Sequence, residues 1–410
     1  SSRAVAMLFI FLFLLNSELV HSAPVQGSTP QLEKLIFSSV LWRHGQRAPS
    51  VINGIDGADV FYRGKGQLTD AGIARSLELG SAMRQRYVHE QGLLSGTAQR
   101  KEEFIFYSTN VNRCKETLKN VARGMFREEE NEKLAPNITI QTAPDHLIGF
   151  QWNTCPALGK IFQEKCANWK GKDITTIKNY PDFEALSFAC SKAGEGATTF
   201  TTPQRGELAE YVILIADSGA ITPEWMTPEV VQEAREVHSK VLRYQLGLGE
   251  YRDEKMLKLA VGFLLHTIIQ DMQTKWKCVK DAAAAAGPDC LDSSITPKQS
   301  FTKLAFKGYS THDYILNLLL EILGGEARNV ALKGFLNPQM SAAIGIELWD
   351  VAGTPKVKVL YRPYALASSL RELTPAIVHC KGEATCDLEK FQAGYASVTT
   401  KNTFEECKLS

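Results

Sequence analysis

The sequence predicts an α/β protein with a mostly parallel central sheet, helices on both faces and an inserted helical cap subdomain. Two observations carry this prediction. Short apolar, β-branched runs alternate with amphipathic helical patterns at both ends of the chain, and helical periodicity with few strand signals fills the middle. We therefore assign residues 23–150 and 297–410 to the two parts of the core, the second including the C-terminal segment, and residues 151–296 to the cap.

The N-terminal part of the core shows the strand–helix alternation directly. Residues 35–42 (LIFSSVLW) predict a buried strand that ends in the basic, loop-forming segment RHGQRAP. Asp70 is expected to cap a helix whose apolar residues recur every three or four positions up to Tyr87. Residues 104–107 predict the next strand, and residues 114–125 place Cys, Leu, Val and Met on one face of a following helix.

The middle and the C-terminal part complete the pattern. Long helices are predicted in the middle, and the alternation of strand and helix resumes near residue 303. The expected elements are helices at 228–247 and 254–274, a strand at 303–310, a helix at 314–323 that Gly324 and Gly325 end, and a hairpin of 343–349 with 357–361.

Residues 1–22 are predicted to be a secretory signal peptide. Arg3 precedes an apolar run at residues 4–15, and a small-residue cleavage site lies after Ser22. The run is too short to span a bilayer, and the alternative is a buried N-terminal helix. Since the polar C-terminus shows no membrane anchor, we expect a secreted protein, with the lysosomal lumen less favoured.

Charge and cysteine content narrow the function classes. The chain carries 46 Lys and Arg against 45 Asp and Glu, so no global field recruits nucleic acid or membrane, and an anion site must be local.

Nine cysteines in an exported chain indicate disulfides plus one leftover thiol. No CxxC pair or nearby HxxxH is present, so no metal or other cofactor is predicted. Asn137 begins an N-glycosylation sequon.

The loop after the first strand has the composition of a phosphate site. Arg43 and Arg47 flank His44, and a guanidinium fork matches phosphate oxygens while a neutral imidazole is a nucleophile. Positive charge beside the ring favours its neutral form. Gly45 has no Cβ, which lets the loop turn so that both arginines converge. The alternative is a solvated basic loop.

Two further strand-to-helix junctions carry related groups. Arg113 lies at a helix start, where its charge adds to the helix N-terminus, and His312 with Asp313 lies at another such junction. The alternative interpretation is that Arg113 is a surface arginine and that Asp313 is only a helix N-cap. One sheet edge could gather all three junctions, because sites form beyond the carboxyl ends of the strands.

These motifs resemble the signatures of the histidine acid phosphatase family, which includes prostatic and lysosomal acid phosphatases and many phytases. RHGQRAP at residues 43–49 matches RHGxRxP, and His312-Asp313 matches the family's HD pair. Residues 66–72 (GQLTDAG) and 108–113 (STNVNR) resemble its GQLT and STDVDR segments. The resemblance runs from about residue 35 to the C-terminus and is weakest in the middle.

The resemblance implies a role for each matched residue. His44 would attack phosphorus and carry the phosphoryl group, while Asp313 would protonate the leaving alkoxide and then help water attack. The phosphate oxygens would be held by Arg43, Arg47, Arg113 and His312. It also implies the disulfides Cys155–Cys407 and Cys380–Cys386, and proximity in the sequence suggests Cys166–Cys190 and Cys278–Cys290.

Four positions depart from the family pattern. Asn110 and Asn112 stand where Asp is usual, which leaves less negative charge around the motif's arginine. Cys114 replaces Thr and is expected to be a buried, unpaired thiol, and Tyr314 replaces the Thr that often follows the HD pair. None of the four removes a reacting group, so activity should survive with an altered substrate preference.

We therefore expect a secreted acid phosphatase that acts on small phosphomonoesters. The sequence does not decide whether the protein is a monomer or a homodimer. The alternative is a secreted small-molecule-binding protein on a phosphatase scaffold with little turnover. A third hypothesis is a phosphatase with narrower specificity, for phytate or lysophospholipid. Phytate, however, would require a more basic entrance to the active site than Arg63 and Lys65 provide.

Overall fold

The computed structural model is built around one mixed sheet. It describes residues 33–50, 58–126, 138–149, 154–167, 205–292 and 298–409. The strands are β1 (Glu33–Arg43), β2 (Phe104–Ser108), β3 (Ile140–Thr142), β4 (Leu291–Asp292), β5 (Gln299–Ser300), β6 (Phe306–Thr311), β7 (Ala343–Val351), β8 (Thr354–Arg362), β9 (Arg371–Glu372) and β10 (Cys386–Asp387).

The strand order in the sheet is β10-β8-β7-β1-β6-β2-β3, with β9 on β8, while β4 and β5 form a separate pair. The pairs β1–β6, β6–β2 and β2–β3 are parallel, and the hairpin of β7 and β8 adds an antiparallel edge beside β1. The predicted α/β fold is confirmed, with the parallel pairing in the half that carries the basic loop.

Helices cover both faces of the sheet, as predicted. They are α1 (Asp70–Arg84), α2 (Asn112–Met125), α3 (Asp145–Ile148), α4 (Pro156–Ala167), α5 (Arg205–Ser218), α6 (Pro228–Leu246), α7 (Glu254–Lys280), α8 (Ala282–Ala285), α9 (Asp313–Leu323), α10 (Gly325–Leu332), α11 (Leu388–Gly394) and α12 (Thr403–Glu406). A correction concerns the start of α1: the N-cap is Thr69, whose side chain accepts from the Gly72 N–H, and Asp70 is the first helical residue.

Alternation along β1 divides the core between the two faces. Phe37 and Leu41 pack with α7 and α9, whereas Val40 and Trp42 pack with α1 and α2 on the other face. A third cluster, the cap cluster, joins α4, α5 and α6, which we call the cap helices, with the start of α7. The cap boundaries at 151 and 296 stay a prediction, because α7 contributes to both the cap cluster and the sheet core.

Three predicted disulfides are confirmed: Cys155–Cys407, Cys278–Cys290 and Cys380–Cys386. Cys114 is buried and unpaired, as expected. The signal peptide, Asn137 and Cys190 lie outside the described residues, and the side chain of Cys166 is not described either. None of the helices in the ranges given above is long and apolar enough to cross a bilayer.

Candidate active site

His44 follows directly on β1, at the carboxyl end of the parallel strands. Its N–H donates to the Thr311 carbonyl at 3.0 Å, which ties the loop to the end of β6. The ring is 2% exposed, and its Nδ1 lies 2.9 Å from the Gly45 carbonyl oxygen. Because a carbonyl only accepts, Nδ1 carries the hydrogen and the Nε2 lone pair is left for other chemistry.

Three guanidinium groups act on this ring. Burial holds the pKa of His44 well below its usual value, and the charges of Arg113, His312, Arg43 and Arg47 lower that pKa further. The Nε atom of each of the three arginines is buried and has no hydrogen-bond partner within the described ranges. A bound oxyanion offers several acceptor oxygens and would satisfy these unpaired donors beside the neutral imidazole.

Asp313 begins α9 and is paired with Arg43. The Arg43 Nη2 lies 2.9 Å from the Asp313 Oδ2, and the Arg43 Nη1 donates to the Pro338 carbonyl at 2.7 Å. Burial, the largest influence, would raise the pKa of Asp313, but Arg43 foremost holds it below the usual value. In the free protein, the Asp313 carboxyl is therefore ionised.

The His312 ring is held from three sides. Its Nε2 lies 3.3 Å from the Thr109 Oγ1 and 3.6 Å from the Cys114 Sγ, and its face stacks on Tyr314 with centroids 5.1 Å apart. Its edge meets the His44 ring at 5.4 Å between centroids. Burial and then Arg113 lower the pKa of His312 to about 3, so the ring is neutral even in acid. Tyr314, one of the departures from the family pattern, thus serves as a stacking surface for His312.

The thiol of Cys114 takes no part as a nucleophile in this arrangement. Burial raises the pKa of Cys114 to about 11, and the Sγ donates to the Thr311 carbonyl at 3.6 Å. The two asparagines are likewise engaged in local contacts. The Asn112 amide donates to the Gln67 Oε1 at 2.6 Å, and the Asn110 Oδ1 accepts from Lys115 at 2.6 Å.

The cap helices add two groups that the sequence reasoning missed. Glu210 on α5 forms an ion pair with the Arg47 Nη2, and His238 on α6 lies close enough to Glu210 and Asp313 to interact with both charges. Burial opposes ionisation of Glu210, yet Arg47 and then His238 hold the pKa of this carboxyl below its usual value. Burial also lowers the pKa of His238.

A cleft of about 600 Å³ opens on this arrangement from the side of Arg43 and Asp313. Glu210 and His238 also line it, whereas His44 does not. The cleft thus reaches the site from the side of the Arg43–Asp313 pair, with the His44 ring set back from its wall. Arg63, expected at the mouth, instead pairs with Glu116 and is not among the lining residues.

The chain is similar to known proteins over most of its length. Residues 59–362, more than half of the chain, match the Histidine phosphatase superfamily (branch 2). The chain belongs to this superfamily. A "Putative acid phosphatase 1" from Caenorhabditis elegans is 28% identical over 91% of this chain and 82% of its own length. The "Lysosomal acid phosphatase" of Xenopus laevis is 24% identical over 93% of this chain and 80% of its own length.

Solved structures share the fold of this histidine phosphatase. The phytase of Hafnia alvei in complex with tartrate superposes with a TM-score of 0.58 at 15% identity, covering 93% of this chain and all of the phytase chain. The multiple inositol polyphosphate phosphatase of Bifidobacterium longum, in complex with inositol hexasulfate, gives a TM-score of 0.56 at 13% identity, covering 92% of this chain and 95% of its own. The prediction of a histidine acid phosphatase is confirmed at the level of family and enzyme class.

The structure brings together all six residues that the motifs singled out. Ring contact, ion pairing and mutual electrostatic influence join His44, His312, Asp313 and the three arginines in one site. Their roles stay a prediction. Glu210 and His238 of this histidine phosphatase lie inside helices with no turn signal beside them, so the sequence offered nothing that would single them out.

Proposed function

We propose that this histidine phosphatase hydrolyses phosphomonoesters through a phosphohistidine on His44. The observation that carries the proposal is a buried imidazole whose Nδ1–H is held on the Gly45 carbonyl and whose pKa is lowered by three arginines with unpaired, buried Nε donors. Nε2 would attack phosphorus as the bond to the leaving oxygen breaks. The arginines would stabilise the charge on the transferring phosphoryl group.

Asp313 would supply the proton that the leaving oxygen takes. In the free protein this carboxyl is ionised by its pair with Arg43. A bound phosphate draws on the same guanidinium and adds negative charge nearby, and both effects raise the pKa of Asp313. In the second step water would attack phosphorus, the N–P bond would break, and Asp313 would take the proton of the water.

An acid working range follows from the state of the ring. A free histidine is largely protonated at pH 5 and has no lone pair at Nε2. The pKa of His44 is held well below that of a free imidazole by burial and then by Arg113, so the nucleophile survives in acid. At acid pH the Asp313 carboxyl also keeps more readily the proton that it must donate to the leaving oxygen.

We further propose export to an oxidising compartment, with secretion favoured over the lysosomal lumen. The support is the charged and apolar leader pattern at residues 1–22, together with the three disulfides. Disulfides persist in secreted proteins and are rare in the cytosol.

The test is turnover of p-nitrophenyl phosphate at pH 5 by the wild type and by His44→Ala. We expect the substitution to lower kcat roughly 10³-fold or more, because it removes the nucleophile. His89→Ala, which removes an exposed histidine, is the matched control and should leave kcat unchanged. A base quench should trap labelled phosphate on the wild type and on the control, but not on His44→Ala.

A phosphate-binding protein without turnover is the second candidate, and the Arg43–Asp313 ion pair is the observation that favours it. If Asp313 stayed ionised with ligand bound, no proton would reach the leaving group. Wild-type protein that binds phosphate but leaves p-nitrophenyl phosphate intact would decide for this candidate. In an active enzyme, Asp313→Asn should slow alkyl phosphates far more than p-nitrophenyl phosphate, because the nitrophenolate leaves without a proton.

A further inference from the structure

Three arginines and three carboxylates line the cleft, but one of the carboxylates pairs with an arginine that does not line it, so one lining arginine is left over. Three arginines face it, and two of them have carboxylate partners: Arg43 with Asp313 at 2.9 Å, and Arg235 with Asp217 at 2.6 Å. The third, Arg75, is half-buried and has neither an ion pair nor a hydrogen bond among the described residues. Two of the three cations are thus neutralised inside the protein.

The other titratable groups of the cleft leave this imbalance in place. Glu210 is paired with Arg47, which is not among the lining residues. Burial lowers the pKa of His238, which favours its neutral form. Among the described lining residues, the uncompensated charge is therefore the single positive charge of Arg75.

Arg75 is also held in a fixed relation to the phosphate site. The first turn of α1 rests on the loop that carries His44: a Cβ on Gly72 would lie 2.1 Å from the Gln46 carbonyl oxygen, so only glycine fits this contact. The Thr69 cap and the bond from the Ser76 hydroxyl to the Gly72 carbonyl, at 2.6 Å, fix the same turn. Arg75 therefore projects from a segment that cannot shift without moving the loop.

The same cleft presents apolar side chains to solvent. Phe335 and Tyr364 pack edge to face with centroids 6.0 Å apart, and Leu366 beside them is 69% exposed. Leu336 adds a further exposed apolar surface at this rim. Exposed apolar side chains gathered at the mouth of a polar cleft indicate contact with an apolar part of a ligand.

We propose that Arg75 is a second anion-binding position on the leaving-group side of the site. The favoured substrates are then phosphomonoesters whose leaving group joins an apolar body to a second anionic group, a carboxylate or a phosphate. The phosphate under attack sits among Arg43, Arg47 and Arg113, the apolar body lies on the rim at Phe335 and Tyr364, and the second anion meets Arg75. This inference rests on the proposed function and extends it.

The experiment compares kcat/KM for phenyl phosphate with kcat/KM for 3-carboxyphenyl and 4-carboxyphenyl phosphate. In the wild type, at least one carboxylated ester should exceed phenyl phosphate. Arg75→Gln should abolish this preference, lowering kcat/KM for that ester about fivefold to tenfold, the scale of a charge-assisted hydrogen bond at a half-exposed site. Phenyl phosphate should be affected less than twofold, and Arg75→Lys should restore part of the preference.

Arg371→Gln, which removes an exposed arginine outside the cleft, controls for the loss of one net charge. An equal fall for phenyl and carboxyphenyl phosphate in Arg75→Gln would mean general steering of anions and would overturn the proposal. So would a wild type that shows no preference for either carboxylated ester. Failure of the wild type to hydrolyse phenyl phosphate at all would instead reject the proposed function itself.

Discussion

Arg47 is occupied by a carboxylate before any phosphate arrives. Its Nη2 pairs with Glu210, and its Nη1 donates to the Ala48 carbonyl at 3.0 Å. A phosphate that binds Arg47 must therefore share the guanidinium with Glu210 or displace it. Since two anions close together repel, the ionisation of Glu210 works against phosphate binding.

Replacing Glu210 with Gln should tighten phosphate binding in a pH-dependent way. The pKa of Glu210 lies below its usual value, so its carboxylate opposes phosphate at pH 6 but is lost as the pH falls through that pKa. We expect the inhibition constant for phosphate to fall about tenfold at pH 6, equal to ~1.4 kcal/mol, and to approach the wild-type value as the pH is lowered through the pKa of Glu210. The measurement is competitive inhibition of p-nitrophenyl phosphate hydrolysis across that range.

Glu236→Gln, on the exposed face of α6, is the control and should leave the inhibition constant unchanged at each pH. Weaker phosphate binding by Glu210→Gln throughout the range would contradict this prediction. It would mean that the carboxylate positions Arg47 rather than competing for it.

At the scale of the elements, the sequence predicted those parts of the site that stand where a strand passes into a helix or loop. His44 follows β1, Asp313 opens α9, and Arg113 lies in the first turn of α2. Each combines a chemically distinctive residue with a local change of periodicity, and parallel pairing of β1, β6 and β2 then brings them to one edge. Local pattern and sheet topology together were enough for these residues.

The contribution of the cap helices could not be predicted in this way. Glu210 and Arg47 are joined across 163 positions, and Glu210 lies in the interior of α5 with no local feature that marks it. Its role depends on how α5 docks on the loop, where the Gln46 amide also donates to the Asp217 carbonyl at 2.5 Å. Docking of one helix on a distant loop leaves no periodic signal in the sequence.

Strand β6 contains a buried cation that the apolar pattern did not predict. The Lys307 side chain is 2% exposed, and its Nζ lies 2.9 Å from the Asp271 Oδ2 and 2.6 Å from the Asp292 Oδ2. Burial raises the pKa of Asp271 to about 6, although Lys307 opposes this. Because this folded-state pKa exceeds that of a free carboxyl, the stability contributed by Asp271 grows as the pH falls from about 6 toward 4.

Lys307→Met should destabilise the protein, and more at pH 7 than at pH 5. Removing the cation takes away the charge that compensates two buried carboxylates, which lowers the free energy of unfolding by about 3–5 kcal/mol at pH 7. At pH 5 Asp271, whose pKa is already raised to about 6, can take up a proton, so the loss should shrink. Urea unfolding at the two pH values measures it, with Lys303→Met at an exposed position as control. An equal loss at both pH values would show that packing, not charge, is responsible.

On the scale of the whole molecule, the cap and the C-terminus are joined covalently. Cys155, beside the start of α4, pairs with Cys407, three residues from the end of the chain, and both cysteines lie in the cap cluster. The Cys407 carbonyl also accepts from the Ala157 N–H at 3.0 Å. Because α5 packs in the same cluster and reaches Arg47 through Glu210, the bridge supports the cap side of the active site.

Removing this bridge should cost more stability than removing a local one. The Cys155–Cys407 disulfide spans 252 positions and Cys278–Cys290 spans 12, so chain entropy predicts a difference of about 3 kcal/mol between the two losses. Thermal unfolding of the double variants Cys155→Ala/Cys407→Ala and Cys278→Ala/Cys290→Ala, each compared with the wild type, measures both. The first should melt well below the second, and its phosphate affinity should change because the cap loosens around Arg47. Equal melting temperatures would contradict this prediction. They would mean that the other disulfides already keep the unfolded chain compact, so that removing Cys155–Cys407 adds little chain entropy to the unfolded state.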